Sequence, residues 1–297
     1  MVRKMKVNLE KEIKILENNY ANQVKNTLYK KYSGSKNTFR ESNWLITFPF
    51  NFLFTEKKVE IAVVRKIATI NAIYGFFFLR EDAVLDEYHK SQPEYKNILI
   101  SMCDAQNFRN LAIGQLLYLC GTDIYDYIFK YEKVYYDALI FEKVNDDINF
   151  KNMFDYKNLL HLGHKLMPLC TSFVAFCFFE RRTENIQICE KMLINYHIAY
   201  QLYDDILDIK KDLMEPDLSY TLRAIKNSQK LEEIILSDVE LIFRSTGIVK
   251  KISRNIEHYL GLSKKYAEQL NFTLFLSQIK RVEQSLQILK KKYNMCI

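Results

Sequence analysis

Residues that break helices are almost absent from this chain, with seven Gly and four Pro in 297 residues. An all-β fold of short strands needs turn residues every ten or so positions, and a doubly wound sheet needs glycine at its turns. Both are disfavoured, and long helices are left. The two nearest glycines, Gly114 and Gly121, stand seven positions apart, so neither a GxGxxG fingerprint nor a P-loop can be written on the sequence. Dinucleotide and P-loop nucleotide chemistry are excluded with them.

With 48% apolar and 27% charged residues the chain can bury a substantial core. The excess of 43 basic over 36 acidic residues gives +7, but the lysines are scattered, Lys290-Lys291-Lys292 being the one run of three. That reads as a solvated face with a weak preference for anions; no motif supports nucleic-acid binding. Six cysteines without a CxxC pair (Cys103, Cys120, Cys170, Cys177, Cys189, Cys296) read as buried thiols of a reducing compartment rather than as zinc ligands or disulfides. The N-terminal stretch lacks the apolar core of a signal peptide. The apolar run ending at Leu79 is interrupted by Asn71 and closed by Arg80, so no transmembrane segment and a cytoplasmic location are expected.

Apolar residues at three and four spacings (Ile13, Leu16, Tyr20, Val24, Leu28) predict a helix from Leu9 to Tyr32, ended by Ser33-Gly34-Ser35. Thr55 is the expected N-cap of a long helix running through Asp86 and stopping before Pro93. Further helices are expected over 94–119, 122–143, 156–180, 184–213, 218–244 and 247–294, the last broken near Gly261. Without a linker or repeat, residues 1–297 read as one all-α domain.

Two acidic clusters sit where the helical pattern predicts core. In FFFLREDAVLDE, Phe76 to Glu87, Asp82 and Asp86 are i and i+4 and project from one helix face about 6 Å apart along the axis. In YQLYDDILDIKKD, Tyr200 to Asp212, the residues Asp204, Asp208 and Asp212 repeat that step, with Asp205 beside them and Gln201 one turn earlier. An arbitrary acidic pair at this spacing is a solvated face. Here like charges repel by roughly 0.2–0.5 kcal/mol per pair, and a nearby helix C-terminus adds a further ~0.3–1 kcal/mol against anions. A bound cation reverses both effects. Carboxylates without clustered His or Cys favour a hard cation, and Mg²⁺ characteristically shares its octahedron with waters and substrate phosphates.

These segments resemble the two aspartate-rich motifs of trans-isoprenyl diphosphate synthases and related class I terpene synthases. The second match is the fuller one, with Gln201 three before Asp204 and the spacing Asp204-Asp205-x-x-Asp208-x-x-x-Asp212; in the first, Ala83 replaces the middle aspartate of DDxxD while Asp82 and Asp86 remain. Lys165, 39 residues before Asp204, is similar to a lysine that contacts the diphosphate in that family. The resemblance spans residues 36 to 212 at least. It implies a helical bundle around a deep apolar cavity, three Mg²⁺ ions on Asp82, Asp86, Asp204, Asp208 and Asp212, a prenyl diphosphate substrate, and room for a homodimer. Phe77 and Phe78 stand where bulky side chains floor the cavity in that family, or they are ordinary core. Arg80 stands to reach a diphosphate oxygen or to pair with a neighbouring acid. His161 and His164 read as packing or surface residues, and Arg181-Arg182 as a solvated junction.

Departures from the family bear on the reaction. Elongating synthases bind isopentenyl diphosphate through an upstream GKxxR-type motif and an Arg pair after DDxxD. Here Lys36 is well placed, Arg40 is one position late, and Glu87-Tyr88-His89-Lys90 carries no Arg pair. Fixed positive charge for a second diphosphate is largely lost. The leading expectation is a Mg²⁺-dependent terpene synthase that ionises farnesyl or geranylgeranyl diphosphate, ahead of a trans-prenyltransferase and of a catalytically silent partner subunit.

Overall fold

The computed structural model describes residues 8–24, 43–54, 59–91, 95–144, 147–214 and 218–292, and all regular structure among them is helical. The α-helices are α1 (Leu9–Val24), α2 (Trp44–Thr47), α3 (Ile61–Ser91), α4 (Tyr95–Cys120), α5 (Ile124–Val144), α6 (Tyr156–His164), α7 (Cys170–Phe179), α8 (Ile186–Leu207), α9 (Ile209–Asp212), α10 (Tyr220–Gln229), α11 (Leu236–Ser245), α12 (Ile248–Gln269) and α13 (Thr273–Lys292). Contacts gather into two compact units. The first holds Met1–Tyr127, Thr171–Ile186 and Asn271–Phe275; the second holds Ile128–Cys170, Gln187–Leu270 and Leu276–Ile297.

In the first unit α3 packs most extensively on α4. Glu12 of α1 is buried and accepts from Arg65 of α3 through Nε at 2.6 Å and Nη2 at 2.8 Å, the forked geometry that makes a guanidinium–carboxylate pair specific. Tyr20 lies against Phe76 and Phe108 on the same face. A 3₁₀ segment, Phe48–Phe54, follows α2 and buries Phe48, Phe50 and Phe52. Asn51 stitches this turn into the core: its Nδ2 donates to Phe48 O at 2.8 Å, and its Oδ1 accepts from the Phe275 N–H at 3.0 Å. The pattern along the sequence predicts neither α2 nor this segment, whose seven residues are too few to display a helical period.

In the second unit α8 is the central helix, with Leu193, Tyr196, Ile198, Ala199 and Leu202 fully buried. Tyr196 accepts from Gln278, the Ser263 hydroxyl donates to Met192 O at 2.9 Å, and the Tyr220 hydroxyl donates to Met153 O at 2.6 Å. Gly163 brings α6 close to α8, since a Cβ there would lie 2.7 Å from Ile194 Cγ2 and 2.9 Å from its carbonyl oxygen. No side chain fits at that crossing.

Several expected helices are broken. The run 156–180 divides into α6, a 3₁₀ turn at Met167–Leu169 and α7, because Pro168 has no N–H to continue the ladder. The run 218–244 ends its first helix at Lys230, which caps α10 in the left-handed conformation at φ 54°. The break in 247–294 falls at Leu270–Phe272, where Asn271 adopts φ 57°, and Gly261 sits inside α12. Asparagine tolerates the left-handed region, and a glycine in a helix interior costs only about 1 kcal/mol, so Gly261 is not a sufficient stop. The run 184–213 breaks at Asp208. Helix α3 ends before Pro93 as expected, while the N-cap assigned to Thr55 and the helical stretch after Val24 lie outside the described residues.

Among the described residues one helix, α3 over Ile61–Leu85, is long and apolar enough to cross a membrane, and 56% of its most apolar stretch is buried within the protein. The α6–α7 pair passes the same test only if its 51° bend is ignored. Of the described cysteines, Cys170, Cys177 and Cys189 are buried, and Cys103 departs from expectation in being exposed.

Candidate active site

The aspartate stripe forms at the end of α8. Asp208 takes φ −93° and ψ 7°, between helical and bridge geometry, and separates α8 from α9. The hydrogen-bond ladder nevertheless passes through it: Asp208 N donates to Asp204 O at 2.9 Å, and Asp212 N donates to Asp208 O at 2.9 Å. The i, i+4, i+8 succession of carboxylates therefore survives the break. Burial, then the charges of Asp208 and Asp212, raise the Asp204 carboxyl above its ordinary range, while Lys211 and Lys165 pull it down. Asp208 accepts from Lys211 at 3.3 Å across an exposed pair. Tyr200, one turn earlier, is raised by burial and by Asp204, and Gln201 is half-buried beside it.

Asp205, adjacent in sequence, has a different task. It is buried, and its Oδ2 accepts from the Thr221 N–H at 2.8 Å, which satisfies a donor in the first turn of α10. Burial pushes its carboxyl up to about 7 against that hydrogen bond. It is a helix anchor beneath the stripe.

Lys165 follows α6 as its C-cap, and its Nζ lies 2.7 Å from Glu142 Oε2 of α5. Next to this pair is His197 on α8, whose Nδ1 donates to Leu162 O at 2.6 Å, an assignment that leaves Nε2 as the acceptor nitrogen. Burial holds this imidazole down to about 4, with smaller opposed effects of Lys165 and Glu142, so it is neutral near pH 7. His197 and Glu142 were not expected from sequence. His197 stands four residues before Gln201 and shares the stripe's face, a readable spacing; Glu142 carries no local signal.

Asp82 is half-buried on α3 of the first unit; Asp86 lies in the same helix, with its side chain outside the described part of the structure. Phe77 is fully buried and Phe78 partly so, in a cluster with Tyr74: the Phe77–Phe78 centroids are 4.6 Å apart, and Tyr74 meets Phe78 edge-on at 4.9 Å. Arg80 is partly buried. Lys36 and Arg40 lie outside the described residues, as do the side chains after Asp86. His161 stacks on Phe141 at 4.1 Å as a packing residue, and Arg181-Arg182 form an exposed turn, both as expected.

Among the described residues no three His, Cys, Asp or Glu side chains are grouped closely enough to hold a metal ion by themselves. The donor set still fits Mg²⁺ in its usual protein setting, one or two carboxylates with the remaining positions taken by water and phosphate. The partly buried Asp204 carboxyl, raised by burial and by two neighbouring acids, is a place where an added cation would relieve repulsion.

No protein-family model matches the sequence, and no curated protein matches it. Solved structures do. A heptaprenyl diphosphate synthase from Staphylococcus aureus superposes with a TM-score of 0.66 at 15% identity, over 93% of this chain and 98% of that one. An octaprenyl pyrophosphate synthase from Helicobacter pylori gives 0.63 at 16% identity over 93% and 98%. The apo form of an Arabidopsis medium/long-chain length prenyl pyrophosphate synthase gives 0.63 at 13% identity over 94% and 100%. Nearly end-to-end agreement with three such chains means that this protein has the all-α class I isoprenoid synthase fold, in the form seen in trans-isoprenyl diphosphate synthases.

Proposed function

We propose that this chain acts as one domain on prenyl diphosphates, as a Mg²⁺-dependent trans-prenyltransferase that ionises an allylic diphosphate and joins it to a second substrate. What supports the reading is the Asp204-Asp208-Asp212 stripe with Lys165 in range of it, on a fold matched along nearly its whole length by prenyl diphosphate synthases. Asp204, Asp208 and Asp212 of the second unit would hold metal, and Asp82 and Asp86 of the first are proposed as metal ligands there; the positive charge so held would help the diphosphate to leave. Lys165 contributes an ammonium to the departing diphosphate, and Gln201 and Arg80 lie within one turn of the two acidic stripes along the chain. Aromatic rings stabilise the allylic cation by about 2 kcal/mol or more each when desolvated. Phe77 and Phe78 limit the length of prenyl chain accepted.

A second reading, a terpene synthase working on one diphosphate alone, is favoured by one observation: Glu87-Tyr88-His89-Lys90 follows Asp86 where elongating relatives carry an Arg pair. Lysine and histidine do not reproduce the bidentate grip of guanidinium on phosphate. Product analysis separates the readings. Purified protein with Mg²⁺ and geranyl, farnesyl or geranylgeranyl diphosphate should form a diphosphate longer by one five-carbon unit when isopentenyl diphosphate is added. A hydrocarbon or alcohol from the allylic substrate alone, unchanged by isopentenyl diphosphate, would replace the first reading by the second.

A further inference from the structure

The Lys165–Glu142 pair is unusual in its company. Both side chains are mostly covered, at 21% and 28% exposure, and the N···O distance is 2.7 Å, so the pair is formed at close range and partly out of water. Lys165 is fixed from behind: Gly163, two residues earlier, holds α6 against α8, and the Leu162 carbonyl takes the His197 Nδ1–H. His197, held neutral by burial, adds no charge of its own to the pair. Lys165 also acts through space on Asp204, whose charged form it favours. Glu142 also bears on the buried Asp205. The ammonium thus touches one carboxylate and acts electrostatically on the stripe at which a diphosphate would sit.

An anion arriving at Lys165 therefore meets a neutral pair, not a free positive charge. It must draw Lys165 away from Glu142 or bind with Glu142 still near, and either route weakens it, because removing one partner from a partly buried ion pair is costly. Resting on the proposed function above, we propose that Glu142 sets the affinity of this site for diphosphate: it holds Lys165 in line with the stripe in the substrate-free protein and competes with the diphosphate for it. The consequence is a leaving diphosphate that is bound less tightly after reaction and released sooner. Glu142 acts through Lys165, as a positioning and affinity-setting residue.

Calorimetric titration of inorganic diphosphate in the presence of Mg²⁺ tests this on four proteins: wild type, Glu142→Gln, Lys165→Gln and the double variant, with folding checked by far-ultraviolet circular dichroism. Glutamine retains the size of glutamate and an oxygen that accepts from Lys165, so a merely structural role predicts unchanged or weaker binding. Competition predicts a Kd about tenfold lower for Glu142→Gln, the effect of removing one nearby negative charge at intermediate dielectric. That gain should vanish when Lys165 is already glutamine. Wild-type binding that equals or exceeds that of Glu142→Gln overturns the proposal and leaves the proposed function standing. Absence of any diphosphate binding by folded wild type overturns the proposed function and this inference with it. Should Glu142→Gln not fold, Glu142→Asp, which draws the carboxylate back by one methylene, should give a smaller gain in the same direction, and no gain would count against competition.

Discussion

The two acidic clusters solve the same electrostatic problem in different ways. Asp82 and Asp86 stand on α3, a helix that runs unbroken from Ile61 to Ser91, with one i, i+4 repulsion to absorb. At the end of α8 three aspartates stack, and there the helix breaks, with Asp208 leaving helical geometry while its backbone bonds persist. Lys211 offsets Asp208 from the same segment, and Lys165 offsets Asp204 from another helix. Asp205 escapes the stripe by turning inward to hold α10. The second cluster thereby keeps the Asp204 carboxyl raised by burial and by Asp208 and Asp212, where a bound cation would relieve it.

The largest expected effect follows from that asymmetry. Replacing Asp204 by Ala should lower metal-dependent diphosphate release by about 10²–10³-fold, as loss of a group that stabilises developing charge does, with little change in circular dichroism. Asp82→Ala should do the same if both clusters serve one reaction. Steady-state rates of the two variants check it, and full turnover in either would remove that cluster from the metal assignment.

A smaller effect, on stability, separates the two phenylalanines below Asp82. Phe77 is fully buried, so Phe77→Ala should cost about 3–5 kcal/mol in denaturant unfolding. Phe78 is partly exposed, and Phe78→Ala should cost less and shift the length of prenyl chain accepted. A product profile unmoved by Phe78→Ala would mark both as packing residues.

The last effect, spread between pH 4 and 7, is a pH dependence. The Asp205 carboxyl is raised to about 7 in the folded protein from an ordinary 3.8, so between these values the folded state binds more protons than the unfolded one. Stability therefore falls as pH rises from 4 toward 7, by at most ~1.4 kcal/mol per unit from this group. Asp205→Asn keeps an acceptor for the Thr221 N–H and removes the proton, so thermal unfolding from pH 4 to 7 should lose that slope. A slope equal to that of the wild type would reassign it to other groups.

How much of this was legible in the sequence depends on distance along the chain. Helical periodicity and the scarcity of breakers pointed to an all-α fold, and Asp204, Asp208 and Asp212 were readable as a stripe because i, i+4 geometry is local. The break at Pro168 was missed in a helix expected over 156–180, although the missing N–H is a local signal for it. The breaks at Lys230 and Asn271 were not readable, because a lone lysine or asparagine is a much weaker signal than glycine for a left-handed helix end. The inward turn of Asp205 and the hold of Glu142 on Lys165 depend on contacts to α10 and α5, which no local pattern announces. Sequence reasoning also ranked terpene synthesis above prenyl transfer from the missing Arg pair, while the solved structures that share the fold are those of prenyl diphosphate synthases.

The most direct test of the account is binding of an unreactive allylic analogue, farnesyl thiolodiphosphate, followed by calorimetry with and without Mg²⁺. Wild type should bind it only with the metal present, and an Asp204→Asn, Asp208→Asn double variant that remains folded should lose that binding. Equal binding without Mg²⁺, or by the double variant, would contradict the claim that this stripe holds a metal–diphosphate.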